Sequence, residues 1–330
     1  MKRVLGKSGI EVSAMGLGCW AIGGPFMLFG KPDGWGDTDD AESIRAIRAA
    51  VDMGVSFLDT ADAYGTGHSE EVIGKAVKGI RNRVVIATKG GYVHDAKRRE
   101  LTGEDTSPAY FRTALEASLK RLGTDYIDLY QIHNWGMPEK NMEPLFAEFD
   151  RFVAEGKIKA YGWSTGSVQN ALYLAERTNG CCIQHPANIF VYDEEMDAVC
   201  EQHRLAGINN GPLAMGLLSG KFNCDSKLPP DDVRGASHDW VSYFTEGCPN
   251  LEFLSRLDAV KEILRSDGRT LAQGALAWLW AKSQSNIPIP GFKNVAQAEE
   301  NAKAMAFGPL SNAQMREIEG ILAREKTVVE

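Results

Sequence analysis

Four residues of this sequence have types and spacing suited to placing a proton on a carbonyl oxygen: Asp59, Tyr64, Lys89 and His133. Three close short apolar runs: VSFLD ends at Asp59, VVIATK at Lys89 and YIDLYQIH at His133, while Tyr64 follows Asp59 by five residues. A free tyrosine holds its proton too tightly to donate it at neutral pH, with a reference pKa of about 10. A nearby ammonium stabilises the phenolate and lowers that value. Lys89 can be the ammonium, and Asp59 its counter-ion and positioner. His133 can hydrogen-bond a carbonyl oxygen and orient it. Together they make a proton donor and a clamp for a developing alkoxide. A carbonyl that gains a proton on oxygen needs a hydride at carbon, so the set asks for a nicotinamide cofactor. Taken singly, each residue also reads as a cap, a loop anchor or packing. The functional reading rests on all four falling at one face, at the ends of successive strands.

The elements that must position them repeat along the chain. Short apolar runs recur at 14–20, 55–59, 84–89, 126–133, 158–164, 181–185, 206–209 and 287–290. Their length suits strands, and their near-continuous apolarity suits parallel strands buried on both faces. Helical periodicity lies between them, at 40–53, 108–122, 142–155, 168–177, 194–203, 271–282 and 294–306. Ser107 with Pro108 reads as a helix start and Gly123 as its stop. Thr270 reads as the cap of the helix carrying Trp278 and Trp280. Eight strands alternating with helices leave an open doubly wound sheet or a closed (β/α)8 TIM barrel. The open sheet should carry GxGxxG after its first strand, and GLGCWAIGG lacks the third glycine at that spacing. Gly65-Thr66-Gly67 opens a helix, but Glu70 stands where the last glycine belongs. The count of eight favours the barrel, as one domain over residues 1–330. Residues 2–12, with a Lys7-Ser8-Gly9 turn, predict a hairpin capping the barrel bottom. The long irregular loop at 222–256, after the seventh strand, predicts a lid or binding loop.

Composition limits the alternatives. A chain of 330 residues, 44% hydrophobic, can fill one large barrel core. The net charge of -8 lacks the basic footprint of nucleic-acid binding. MKRVLGKSGIEVS has a basic start with no apolar stretch behind it, so no secretory signal is expected. No run reaches membrane-spanning length. The six cysteines form no CxxC pair and read as free thiols of a reducing, cytoplasmic compartment, most of them small buried hydrophobes. The six histidines show no metal-ligand spacing, so no metal is expected.

FLDTADAYGTGHSEEVIGKAV resembles the signature of the aldo-keto reductase family, with Asp59 and Tyr64 at its catalytic positions. VVIATKGG is similar to the segment bearing that family's lysine, and YIDLYQIHNW to the one bearing its histidine. The resemblance runs from MGLGCW to IPIPGFKNVAQAEEN, nearly the whole chain. It implies a (β/α)8 barrel that binds NADP(H) without a Rossmann fold or a metal, and acts on a small-molecule carbonyl or alcohol. It also implies contacts by position. Gly18, Cys19 and Trp20 would lie beside the nicotinamide and substrate. Ser164 and Gln184 would hold the carboxamide. Gly211, Pro212, Leu213 and Lys221 would cover the pyrophosphate. Gly291, Lys293, Gln297, Glu300 and Asn301 would take the adenosine end. Lys293 stands just before a helix start, where anions are favoured, and this suggests a 2′-phosphate and NADP over NAD.

The sequence departs from the family at two places. Thr165 follows Ser164 where an asparagine is usual, which shortens or removes one carboxamide contact. Asn210 stands where an aromatic usually stacks on the nicotinamide. Two expectations follow: modest cofactor affinity, or a hydroxyl-rich, sugar-like substrate touched by Asn209 or Asn210. Trp20, Phe26, Trp35, Tyr64, Trp135 and Trp163 are expected to line the pocket, with Trp20, Tyr64, His133 and Trp135 against substrate. Trp163 lies inside a strand, where core packing is the other reading.

The leading reading is an NADPH-dependent reductase of aldehydes or ketones. The cofactor segments are also similar to those of voltage-gated potassium channel β subunits, so a nicotinamide-binding regulatory subunit with little turnover is the second reading. A third uses Lys89 as a Schiff base, which a lysine charged by Asp59 disfavours. The sequence leaves a homo-oligomer open.

Overall fold

The eight apolar runs pair side by side into one parallel barrel. In the computed structural model, which describes residues 1–328, the strands are β1 (Gly16–Gly18), β2 (Phe57–Asp59), β3 (Val85–Gly90) and β4 (Ile127–Ile132). They continue as β5 (Ile158–Ser164), β6 (Cys182–Pro186), β7 (Ala206–Asn210) and β8 (Asn286–Pro288). Each pairs in parallel with its sequence neighbour, from β1 through β8. The barrel closes where Gly18 bridges Gly291 and the Gly18 N–H donates to the Pro290 carbonyl at 3.0 Å. A Cβ at Gly18 would stand 2.6 Å from the Ile289 carbonyl oxygen, so closure requires glycine there.

Alternation along each strand sends every second side chain inward. Phe57, Ala87, Leu129, Ala160, Cys182, Ala206, Ile208 and Ile287 form one buried interior cluster. Leu5 and Val12 join it from the antiparallel pair Lys2–Val4 and Glu11–Ser13. The expected N-terminal hairpin therefore plugs the barrel bottom. At the other end, the same two-residue period brings Asp59, Lys89, Gln131, Ser164, Gln184 and Asn210 to the mouth.

The outer ring comprises α1 (Asp40–Asp52), α2 (His68–Ala76), α3 (Pro108–Leu122), α4 (Glu139–Ala154) and α5 (Val168–Arg177). It continues with α6 (Glu194–Gln202), α7 (Leu251–Arg265), α8 (Leu271–Lys282), α9 (Val295–Phe307) and α10 (Asn312–Val328). The Ser107 hydroxyl caps α3 over Pro108, and Gly123 ends it at φ 64°. Thr270 and Gln273 form a reciprocal capping box on α8. Trp280 on α8 donates its indole N–H to the Ala14 carbonyl at 2.8 Å and so ties helix to barrel.

Several elements differ from the sequence expectation. α4 begins at Glu139, before the first apolar residue of its pattern, and carries Pro144 inside it. The irregular segment ends at Asn250, whose side chain caps α7. Tyr92–Asp95 and Glu100–Glu104 form an antiparallel pair, extended by Met27–Leu28 and Lys31–Pro32 into a four-stranded sheet. These strands are short, with little apolar alternation to announce them. Trp163 is fully buried in the outer cluster, and its indole N–H donates to the Asn134 carbonyl at 2.7 Å. It packs the core and lines no pocket. Among the described residues no helix is long and apolar enough to cross a membrane.

Candidate active site

Lys89 is the centre of the mouth. Its ammonium is fully buried and donates to Asp59 Oδ1 at 2.7 Å, the Thr60 carbonyl at 2.9 Å and the Tyr64 hydroxyl at 3.3 Å. The other Asp59 oxygen accepts from Gln131 Nε2 at 3.2 Å and Gln184 Nε2 at 2.8 Å. A buried ion pair needs such extra donors to offset its desolvation. Gln131 escaped the sequence reading, although it shares the inward face with Leu129 two residues before it. Gln184 was expected at the cofactor carboxamide; its amide nitrogen holds Asp59.

The loop after β2 fixes Tyr64. The Thr60 hydroxyl donates to Ser69 Oγ, which donates to the Cys19 carbonyl. The Asp62 N–H donates to the Lys89 carbonyl. Gly65, at φ 60°, presses on the first loop: a Cβ there would lie 1.9 Å from the Gly23 carbonyl oxygen. His133 stands edge-on to Tyr64, with ring centroids 5.6 Å apart, and edge-on to Tyr92 at 5.1 Å. Its Nδ1 is buried without a protein partner. The four residues read from sequence thus converge.

Their protonation differs in one respect from expectation. Burial pushes the Tyr64 phenol above its ordinary value; Lys89 pulls it down without prevailing, and Asp59 adds to the rise. The resting phenol therefore keeps its proton, as a donor must. Burial opposes the Lys89 charge, but Asp59 and Tyr64 outweigh it and hold its pKa above the ordinary lysine value. Burial, then Lys89, holds the His133 imidazole well below its usual pKa, so it is neutral. His185, on the outer side of β6, is likewise pushed down, to about 4, by burial. Unfolded histidine gains its proton near about 6.5, so below that pH the unfolded chain binds more protons than the folded one. Stability is fully present above that value and falls as pH drops toward the folded-state values, by up to about 1.4 kcal/mol per pH unit per imidazole. Urea midpoints taken at about pH 7 and about pH 5 should show the drop in wild type and a smaller one in His185→Gln. Equal drops in the two proteins would refute the assignment to His185.

The remaining expected contacts separate into two groups. Ser164 reaches the mouth at the end of β5. Asn210 shares the inward face of β7 and is partly exposed. Asn209 points outward instead: it is fully buried, with its amide nitrogen 2.8 Å from Asn286 Oδ1, and touches no pocket. Thr165 is also an anchor, its hydroxyl donating to the Trp135 carbonyl at 2.7 Å. Cys19 is fully buried, with its N–H donating to the Asp59 carbonyl at 2.8 Å and its carbonyl accepting from Ser69 Oγ, so it supports the mouth from behind. Phe26 is buried beneath Trp20 and Tyr64. Trp135, 58% exposed, stands on the rim over Gly166.

Trp20 lies near-parallel to Tyr64 at 6.0 Å and meets Trp35 edge-on at 5.2 Å. Trp240, from the long loop after β7, lies 6.1 Å from Trp20. That loop is tied to the first one: Val233 N–H donates to the Gly34 carbonyl, and Lys31 reaches the Ser237 carbonyl. Trp240 and Tyr92 were not singled out from sequence, because one lies in irregular chain and the other in an unread strand.

Beside this loop three cations gather. Lys221 has its pKa lowered by burial and then by Arg234, with Lys293 adding to the effect. Arg234 packs over Trp35 and pairs with Asp232, and Lys293 donates to the Trp35 carbonyl at 2.8 Å. Such a set fits a polyphosphate. Pro212 is buried, Leu213 half-buried, and the space around Gly211 is open. Gln297 accepts from the Lys293 N–H, and Asn301 donates to the Gly291 carbonyl, so both shape the loop before α9. The Glu300 backbone carbonyl accepts from Gln273. At the α9 start, Glu42 Oε1 accepts from the Val295 N–H at 2.9 Å. Among the described residues no group of three or more His, Cys, Asp or Glu side chains is placed to hold a metal ion.

The chain matches the model of the Aldo/keto reductase family over residues 14–323. It is 33% identical to aldo-keto reductase YhdN of Bacillus subtilis (strain 168), covering 96% of this chain and 91% of that protein. Its structure matches the glycerol dehydrogenase AKR11B4 from Gluconobacter oxydans with a TM-score of 0.81 at 30% identity, covering 96% of this chain and 93% of that one. It also matches an aldo/keto reductase from Klebsiella pneumoniae, solved with NADP and acetate, with a TM-score of 0.71 at 26% identity over 96% and 94% of the two chains.

Proposed function

The chain belongs to the aldo/keto reductase family, and from that premise we propose that it reduces an aldehyde or ketone to the alcohol with NADPH, using Tyr64 as proton donor. The observation that carries this reading is the buried Lys89 ammonium, bonded at once to Asp59 and to the Tyr64 hydroxyl. NADPH, when bound, supplies the hydride that the carbonyl carbon accepts. As the new C–H bond forms, the carbonyl π pair moves to oxygen, which takes the Tyr64 proton. Lys89 stabilises the phenolate left behind, and solvent returns the proton. Neutral His133 can donate to the same oxygen beforehand, and its edge-on packing fixes the ring.

Lys221, Arg234 and Lys293 are the residues to hold the phosphates, with Ser164 and Asn210 nearer the reacting end. The Glu42 carboxylate already occupies the amide at the α9 start. A 2′-phosphate bound by Lys293 meets it as a like charge, whereas a 2′-hydroxyl does not. Glu42→Gln should therefore tighten NADPH several-fold and leave NADH unchanged, measured by tryptophan quenching. Equal changes for both cofactors would place the phosphate elsewhere.

The direct test of the activity is aldehyde-dependent loss of NADPH absorbance with purified protein. Tight NADPH binding with no turnover across short, aromatic and hydroxylated aldehydes would overturn the reductase reading.

A further inference from the structure

A buried carboxyl that the proton transfer does not use stands next to Trp20, on the aromatic side of the mouth. Asp33 follows the short strand Lys31–Pro32 in the loop after β1. Its backbone is held at both ends: its N–H donates to the Phe26 carbonyl at 2.9 Å, and its carbonyl accepts from the Trp20 indole at 3.1 Å. The side chain is only 10% exposed, and Oδ1 is buried with no hydrogen-bond partner. The nearest cationic candidate is His238 Nε2 at 3.5 Å, but that nitrogen is committed to the Pro32 carbonyl at 2.7 Å. Trp20, whose indole holds the Asp33 carbonyl, lies near-parallel to Tyr64 at 6.0 Å, and Phe26, whose carbonyl accepts the Asp33 N–H, packs in one cluster with Tyr64 and Tyr92. Asp33 therefore borders the aromatic wall on which Tyr64 stands.

A buried polar atom left without a partner carries an uncompensated desolvation cost, and its place beside a reacting group points to a ligand. We infer that Asp33 is a specificity residue whose carboxyl receives a hydroxyl group carried near the carbonyl of the substrate. This rests on the reductase reading and names its substrate class: hydroxylated aldehydes in preference to plain ones. Burial pushes the Asp33 carboxyl up to about 8, so near neutrality it is chiefly the neutral acid. A neutral acid has one donor and one acceptor, which matches a hydroxyl and suits an ammonium poorly. The aromatic rings of Trp20, Trp35 and Trp240 close the same corner. The sequence offered contact with a hydroxyl-rich substrate to Asn209 or Asn210; Asn209 is buried away from the mouth, and Asp33 on a different loop joins Asn210 as a candidate for that contact.

The test compares kcat/KM for glyceraldehyde and for propanal, which lacks the hydroxyls. It uses wild type, Asp33→Ala and Asp33→Asn, with NADPH quenching of each variant to show an intact barrel. Wild type should prefer glyceraldehyde. Asp33→Ala should lower that preference at least tenfold, mainly through KM for glyceraldehyde. Asp33→Asn keeps a donor and an acceptor and should retain most of it. An unchanged ratio in Asp33→Ala, or equal losses on both aldehydes, would overturn the role of Asp33 while leaving the reductase reading intact. Failure of wild type to reduce either aldehyde would remove the reductase reading and this inference together.

Discussion

Tyr64→Phe should lower kcat by about 10²–10⁴-fold, the span that a positioned general acid contributes, with NADPH affinity kept. The substitution removes one oxygen and leaves the ring between Trp20 and His133 in place. No other phenol is bonded to Lys89 among the described residues. Tyr92 is the nearest alternative, packed against the far edge of His133, but burial pushes its own phenol up to about 12. Stopped-flow measurement of NADPH oxidation separates the chemical step from product release. A decrease smaller than about tenfold would assign the proton to another group.

The second large effect is expected from Lys89→Met, and it is twofold. Turnover falls because the Tyr64 phenolate loses its only charged hydrogen-bond donor among the described residues. Stability falls as well, because Asp59 stays in the barrel interior with two amide donors and no cation. Breaking a buried pair from one side typically costs about 3–5 kcal/mol. The charge, rather than the lost volume, is the cause assigned here, and a double variant distinguishes them. Asp59→Asn combined with Lys89→Met should recover much of the stability, since the uncompensated carboxylate is gone, yet recover no activity. Denaturant midpoints and kcat for the three variants check both halves. A double variant less stable than Lys89→Met would show that volume dominates.

Asp59, Tyr64, Lys89 and His133 converge at the barrel mouth as the sequence led one to expect, and the reason lies in barrel geometry. Strands buried on both faces must be apolar nearly throughout, so a titratable residue at the end of such a run stands out. Asp59, Lys89 and His133 each end one. The two-residue period then sends those of adjacent strands to one mouth, whatever the details of packing. Helix limits were legible where the backbone chemistry is local, as at Ser107-Pro108, Gly123 and Thr270.

The same double burial hid other assignments. An apolar strand does not reveal which of its faces looks inward, so Trp163 read as pocket or core until the register decided for the core. Asn209 and Asn210 are neighbours in sequence and opposites in space. Gln131 and Gln184 became supports of Asp59 only because β4, β6 and β2 converge, and an amide gives no periodic signal of its own. The balance of the Tyr64 phenol was also a tertiary matter: a nearby lysine lowers it, but the depth of burial sets the sum. Asp33 meets His238 and Trp20 meets Trp240 across more than 200 residues. Those contacts exist because the loop after β7 folds over the loop after β1. The convergence of Asp59, Tyr64, Lys89 and His133 was thus determined by sequence, through strand ends and period. The aromatic and polar surroundings were decided by loops whose conformation depends on one another, and no local rule of residue type encodes such dependence.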